Sequence, residues 1–126
     1  MKTFSERSKN NLKGVDERLV KLCKKVLEKN EVDFVVVEGV RTLERQKELY
    51  KTGKSKTMKS YHLHGKAVDL YPYPIIENFG KDKEYMKKWI KLGELMETTA
   101  KELGLNITWG YRWKSFKDTP HFQLEK

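Results

Sequence analysis

At 126 residues the chain can build one modest hydrophobic core and not two, so a single domain over 1–126 is expected. Hydrophobic residues make up 37% and charged residues 36%, and the apolar ones fall in periodic clusters, which excludes a disordered chain; no run of about 18 apolar residues is present to span a bilayer as a helix. Lys and Arg outnumber Asp and Glu by 27 to 18, and the formal charge of +9 draws the protein to polyanions such as nucleic acid, anionic lipid or an acidic wall polymer, among which charge alone does not choose.

The opening residues, Met1-Lys-Thr-Phe-Ser-Glu-Arg7, break into charge before any apolar stretch. No secretory leader is legible, so synthesis in a cytosol is expected, with delivery to any external target left to another agent. Asp16 can cap a helix in which Leu19, Leu22, Cys23, Val26 and Leu27 recur at helical spacing, with Asn30 as its stop. Cys23 falls on that apolar stripe and reads as a reduced core residue; as the single cysteine it excludes an intramolecular disulfide. Phe34 to Glu38 is rich in β-branched residues and reads as a buried strand, after which Gly39-Val-Arg-Thr42 turns into a second helix capped by Thr42 and stopped at Gly53. Lys51 to Lys59 is polar, basic and small: a mobile, solvated loop that leads to His62, with a substrate-facing role as the alternative.

Ala67 to Leu70 alternates small or polar with apolar residues, so Val68 and Asp69 point to opposite faces of a strand, and Pro72 and Pro74 end it. The spacing of Tyr85, Met86, Trp89, Ile90, Gly93, Met96, Ala100 and Leu103 predicts a third helix over 82–103, with Gly104 after it. Two short strands follow, Asn106 to Gly110 and His121 to Leu124, joined by an aromatic, basic loop through Trp113 and Phe116. The expected fold is α+β: a small antiparallel sheet flanked by about three helices, with a metal site in a cleft on the sheet.

Two segments carry the chemistry, Ser60-Tyr-His-Leu-His-Gly-Lys-Ala-Val-Asp69 and Asp118-Thr-Pro-His121. Together they supply two imidazoles and a carboxylate for one metal, plus a further acid. A hydrolytic zinc centre takes three protein ligands from His and Asp or Glu and keeps a fourth position for water, whose pKa falls toward ~7. On this reading His62, Asp69 and His121 are the ligands of one Zn2+ and Asp118 is the base. An unbroken strand would set His62 and Asp69 ~23 Å apart on opposite faces. The chain must therefore fold back between them, and Gly65 permits the reversal. His121 has to arrive from a neighbouring antiparallel strand, sharing a face with Gln123 while Phe122 and Leu124 anchor the core. The Thr119-Pro120 step holds Asp118 off the metal. His64, beside Gly65, lies outside the ligand set and is placed at the side of the cleft.

The pattern Ser-x-His-x-x-Gly-x-Ala-x-Asp, then Trp109-Gly-x-x-Trp113, then Phe116-x-Asp-x-Pro-His-Phe-Gln123, resembles the LAS-type zinc peptidases of peptidoglycan (D-alanyl-D-alanine carboxypeptidase-like), most closely the L-alanyl-D-glutamate endopeptidases used as phage endolysins. Ser5-Glu-Arg-Ser8, Leu12-Lys-Gly-Val15, the Gly39 to Thr42 turn with Gln46 and Tyr50, and the block from Trp109 to Gln123 fall in family order along nearly the whole chain. The resemblance implies zinc on His62, Asp69 and His121, with Asp118 as general base and acid. It also makes Arg41 the stabiliser of the oxyanion and Ser60 a substrate-side residue. Arg41 has a plainer use, pairing with Glu38 or Glu44 at the surface. Tyr111 and Arg112 stand where relatives often have a second Gly and an acidic or amide residue, and Asp16-Glu17 replaces the usual His-Pro. Some related endolysins add a calcium switch on an acidic loop, which cannot be located on these residues.

The implied activity is hydrolysis of the L-alanyl-D-glutamate bond of peptidoglycan stem peptides by a monomer without a separate wall-binding domain. It would be made in the host cytoplasm and act on the wall after release. The rival enzymes are a zinc D,D-carboxypeptidase and a D-Ala-D-Ala dipeptidase, which would use the same ligands in a differently shaped pocket. A non-catalytic zinc or wall-binding module is argued against by the presence of both Asp118 and Arg41. A basic nucleic-acid-binding domain lacks any recognition helix or aromatic RNA-binding motif, so no specific nucleic acid and no membrane insertion are expected.

Overall fold

The computed structural model describes residues 3–55, 58, 60–77, 79, 81–115 and 117–125. Part of the expected basic loop, at 56, 57 and 59, and Phe116 of the aromatic loop lie outside the described residues. Among the described residues four α-helices and four strands follow in the order α1 (Glu6–Asn11), α2 (Glu17–Lys29), β1 (Phe34–Glu38), α3 (Leu43–Lys51), β2 (Ala67–Pro72), α4 (Lys83–Glu102), β3 (Ile107–Trp109) and β4 (His121–Leu124). The α+β class and the antiparallel sheet hold, with one short helix more than the periodicity predicts. The sheet order is β1-β2-β4-β3, with every pair antiparallel.

The long helices start and stop where side chains can satisfy their open backbone groups. Asp16 accepts from the Arg18 N–H, Thr42 from that of Arg45 and Asp82 from that of Tyr85, each relieving a donor that has no partner within its helix. Asn30 closes α2 in the left-handed conformation (φ 54°), as the sequence predicts.

One face of the sheet presents Phe34, Val36, Val68, Leu70, Trp109 and Phe122 to α2 and α4. Trp109 and Phe122 stack across β3 and β4 with their rings 5.7 Å apart. Helix α4 is also hydrogen-bonded to the sheet, its Trp89 Nε1 donating to the Leu70 carbonyl at 2.9 Å and its Tyr85 hydroxyl to that of Pro72 at 2.6 Å. Burying these aromatics contributes roughly 25 cal/mol per Å² of apolar surface, and their polar atoms are all bonded, so the burial carries no penalty for lost water.

Helix α1 is too short for an amphipathic pattern and does a different job. It lies on β1, an edge strand whose unpaired groups would otherwise face solvent. Ser8 accepts the Val36 N–H at 2.9 Å, and Asn11 Nδ2 donates to the carbonyls of Val36 and Val37 at 2.8 and 3.1 Å. Those contacts sit on a β-bulge. Val36 pairs with Leu70, yet Glu38 rather than Val37 stands opposite Asp69. The extra residue re-aims the end of β1. With Asp69 opposite His121 in β4, a row Glu38, Asp69, His121 crosses three strands.

Candidate active site

The face of the sheet opposite the helices forms one side of a cleft of about 470 Å³, lined among others by Glu38, Arg41, His62, Asp69, Asp118 and His121. His62 reaches it from a 3-10 turn over Tyr61–His64. Ser60 starts that turn by accepting the His62 N–H, and Gly65 ends it at φ 68°, where an added Cβ would lie 2.5 Å from the Gly14 carbonyl oxygen. Positive φ and close backbone approach together demand glycine there. The reversal needed to return His62 toward Asp69 is thus present.

The 118–121 turn that supplies Asp118 and His121 is pinned residue by residue. Asp118 N–H donates to Gly110 O (3.1 Å), Trp109 Nε1 to Thr119 O (2.7 Å), Leu70 N–H to Pro120 O (2.9 Å) and His121 N–H to Asp118 O (3.1 Å). Gly110 is required for the first of these, since a Cβ on it would stand 2.4 Å from the Asp118 carbonyl oxygen.

Three donor atoms converge. His62 Nε2 lies 3.2 Å from Asp69 Oδ1 and 3.2 Å from His121 Nδ1, and His121 Nδ1 lies 3.5 Å from Asp69 Oδ1. Ligand atoms ~2.0–2.1 Å from a zinc ion at tetrahedral angles stand roughly 3.3–3.4 Å apart, so the spacing fits one tetrahedral ion. The outer ring nitrogens are committed. His62 Nδ1 is 2.7 Å from Gly39 O and His121 Nε2 is 2.8 Å from Gln123 Oε1. Both partners accept, so the outer nitrogens carry the protons and the inner ones present lone pairs to each other and to a carboxylate. Three electron pairs facing one point require a cation between them, a proton or a metal. The group is accordingly one that can hold a metal ion.

The electrostatics agree. Burial alone would raise the Asp69 pKa, but a positive charge shared with the His121 and His62 rings beside it outweighs burial and holds the carboxyl well below the usual carboxylate range. Burial opposes protonation of His121, yet the bond to Asp69 and its charge win, and the pKa rises. Asp118 shifts the other way, raised first by burial and then by the negative charge of Asp69. Its Oδ2 stands 4.0 Å from His121 Nδ1, beside the converging atoms but outside bonding distance.

Arg41 does pair with Glu38, as its plainer use anticipates, but in the cleft rather than at the surface. Its Nε and Nη2 donate to the two Glu38 oxygens at 2.8 and 3.0 Å, and its Nη1 donates to Gln46 Oε1 at 2.8 Å and faces Ser60 Oγ at 3.4 Å. Four of its five N–H groups are so engaged, leaving one on Nη2. Ser60 is 7% exposed and also caps the turn, so it has a structural use besides lining the cleft. Trp113 lines the cleft with its ring 5.3 Å from that of His121, whereas Trp109 is core. His64 is exposed and absent from the lining, which corrects its expected place at the side of the cleft. Glu38, Gln46 and Gln123 were not singled out as site residues by spacing, because each acts through a partner that only the folded chain brings near.

Residues 1–124 match a family model described as phage L-alanyl-D-glutamate peptidase. The chain belongs to that family. It is 31% identical over 124 residues to the L-alanyl-D-glutamate peptidase of Listeria phage A118, covering 96% of this chain and 42% of that one. It is 32% identical over 108 residues to the peptidoglycan L-alanyl-D-glutamate endopeptidase CwlK of Bacillus subtilis (strain 168), covering 74% and 61%. The chain thus spans less than two thirds of either relative's length. Among solved structures, the Serratia marcescens L-Ala D-Glu endopeptidase ChiX superposes with a TM-score of 0.83 at 35% identity, over 97% of this family member and 89% of ChiX.

Proposed function

We propose that this family member is a zinc peptidoglycan endopeptidase that hydrolyses the L-alanyl-D-glutamate bond of stem peptides, as a phage endolysin does. The observation that carries the proposal is the tetrahedral spacing of His62 Nε2, Asp69 Oδ1 and His121 Nδ1 at 3.2 to 3.5 Å, with Asp118 and Arg41 on the same cleft. These three residues would hold the ion, with Gly39 and Gln123 fixing both imidazoles in the ligating tautomer. Zinc, when bound, supplies a Lewis acid that polarises a carbonyl and acidifies water.

The chain's own groups do the rest. Asp118 takes the proton of the attacking water and later returns it to the departing amine, a role suited to a carboxyl whose pKa is raised. Arg41 is held by Glu38, so its remaining Nη2 hydrogen can donate to the peptide oxygen as negative charge builds. Ser60 lies on the substrate side beside it. Synthesis in the host cytoplasm and action on the wall after release complete the reading; among the described residues no helix is long and apolar enough to cross a membrane.

Purified sacculi digested with and without a chelator, followed by mass spectrometry, test this. Chelator-sensitive appearance of new N-terminal D-Glu is expected, and release of D-Ala would instead identify a carboxypeptidase or dipeptidase. Asp118→Asn should bind zinc as the wild type does and lyse nothing; lysis at the wild-type rate would remove Asp118 from the mechanism.

A further inference from the structure

The basic stretch after α3 contains a residue with no role so far. Lys54 lines the cleft together with Arg41, Arg45 and Ser55. Two of the three cations on that wall are already engaged, Arg41 by both oxygens of Glu38 and Arg45 by Glu48 at 3.6 Å. Lys54 has no carboxylate within ion-pair distance among the described residues.

Its backbone is nevertheless fixed. The N–H groups of Lys54 and Ser55 both donate to the Leu49 carbonyl, at 2.9 and 3.0 Å. Gln46 donates through Nε2 to Ser55 Oγ at 2.9 Å while its Oε1 accepts from Arg41. A hydrogen-bonded chain from Arg41 through Gln46 to Ser55 therefore sets where Lys54 stands relative to the arginine of the site.

Of the carboxylates in the cleft, Glu38 is paired with Arg41 and Asp69 faces the ion position, so Asp118 is the like charge an incoming carboxylate meets, and Lys54 is, among the described residues, the cation on that wall without a carboxylate of its own to receive it. Cleavage between L-alanine and D-glutamate brings one in. D-glutamate in a stem peptide continues through its side-chain carboxyl, which leaves the α-carboxylate free on the carbon next to the scissile nitrogen. We propose that Lys54 receives this α-carboxylate and makes the enzyme selective for stem peptides in which it is not amidated. The assignment rests on the endopeptidase reading above.

Two synthetic stem peptides test it, identical except that the D-glutamyl α-carboxyl is free in one and a carboxamide in the other, with kcat/KM measured for zinc-loaded wild type, Lys54→Gln and Lys54→Arg. The wild type should prefer the free acid by about tenfold or more, the scale of one charge-assisted hydrogen bond. Lys54→Gln should lower the acid to the level of the amide without changing the amide rate, which also shows that the variant is folded, and Lys54→Arg should keep the preference. An acid-to-amide ratio in Lys54→Gln equal to that of the wild type, whether or not both rates fall, overturns the assignment alone. Cleavage of neither peptide by the wild type overturns the endopeptidase reading and this assignment with it.

Discussion

Replacing Glu38 by Gln tests whether Arg41 works as a positioned donor. Glu38 accepts from Nε at 2.8 Å and Nη2 at 3.0 Å, and the arginine side chain is only 9% exposed. Glutamine keeps one acceptor oxygen and turns an NH2 toward the other nitrogen, so one charge-assisted bond is lost and a donor faces a donor. Such a bond contributes about 1.5–3 kcal/mol. Glu38 is 27% exposed, which places the loss near the lower end, and about 1.5 kcal/mol expressed in the transition state is about tenfold in rate. Steady-state assay of Glu38→Gln on a defined stem peptide should show kcat about tenfold lower, with KM and bound zinc close to wild type. A wild-type kcat, in a background where Arg41→Ala is inactive, would refute the idea that the carboxylate aims the guanidinium.

Three further outcomes are expected. Gly110→Ala should push the Asp118 carbonyl away from its 2.4 Å approach and lower kcat/KM by about a hundredfold while zinc content, read by metal analysis, stays whole; full activity would show that Gly110 does not place Asp118. Burial pushes the Cys23 thiol up to about 12, so a chromogenic disulfide reagent at pH 8 should label nothing until denaturant is added, and rapid native labelling would contradict the buried placement. Asp16 is held well below the usual carboxylate range by hydrogen bonds from Arg18 and Lys66, so its stabilisation is complete above its unfolded pKa of about 4 and is withdrawn as pH falls below that. Asparagine also caps helices, so Asp16→Asn isolates the charge. The melting-temperature gap between it and the wild type should be widest above pH ~5 and close in acid, and a gap independent of pH would refute the linkage.

What could be read before folding was whatever depends on neighbours in sequence. Helix α2 runs from Asp16 to Asn30 because its cap, its stripe of Leu19, Leu22, Cys23, Val26 and Leu27, and its left-handed stop are all local. The convergence of His62, Asp69 and His121 was legible too, since strand alternation and one glycine constrain which side chains can meet. The β-bulge was not. Val35, Val36 and Val37 form a uniform run, and nothing in it says which residue the pairing with β2 will skip. Glu38 therefore looked like a surface partner for Arg41 until its place opposite Asp69 was seen. Helix α1 was missed for a related reason: its six residues have no apolar period, and Ser8 and Asn11 matter through bonds to a strand 25 to 28 positions away. The expected strand from Asn106 to Gly110 is trimmed to Ile107–Trp109, because Gly110 is spent on the turn that meets Asp118.

The converging imidazoles are 59 positions apart in the chain, and the second belongs to a strand of only four residues. An ion shared between them is also a clasp. Closing a loop of that span with a covalent link removes chain entropy on the order of 4 kcal/mol from the unfolded ensemble, and a metal bridge acts in the same sense. On the zinc reading the ion ties β4 to the turn that carries His62, so the resistance of that strand to proteolysis and competence for hydrolysis are expected to rise and fall on a single binding event.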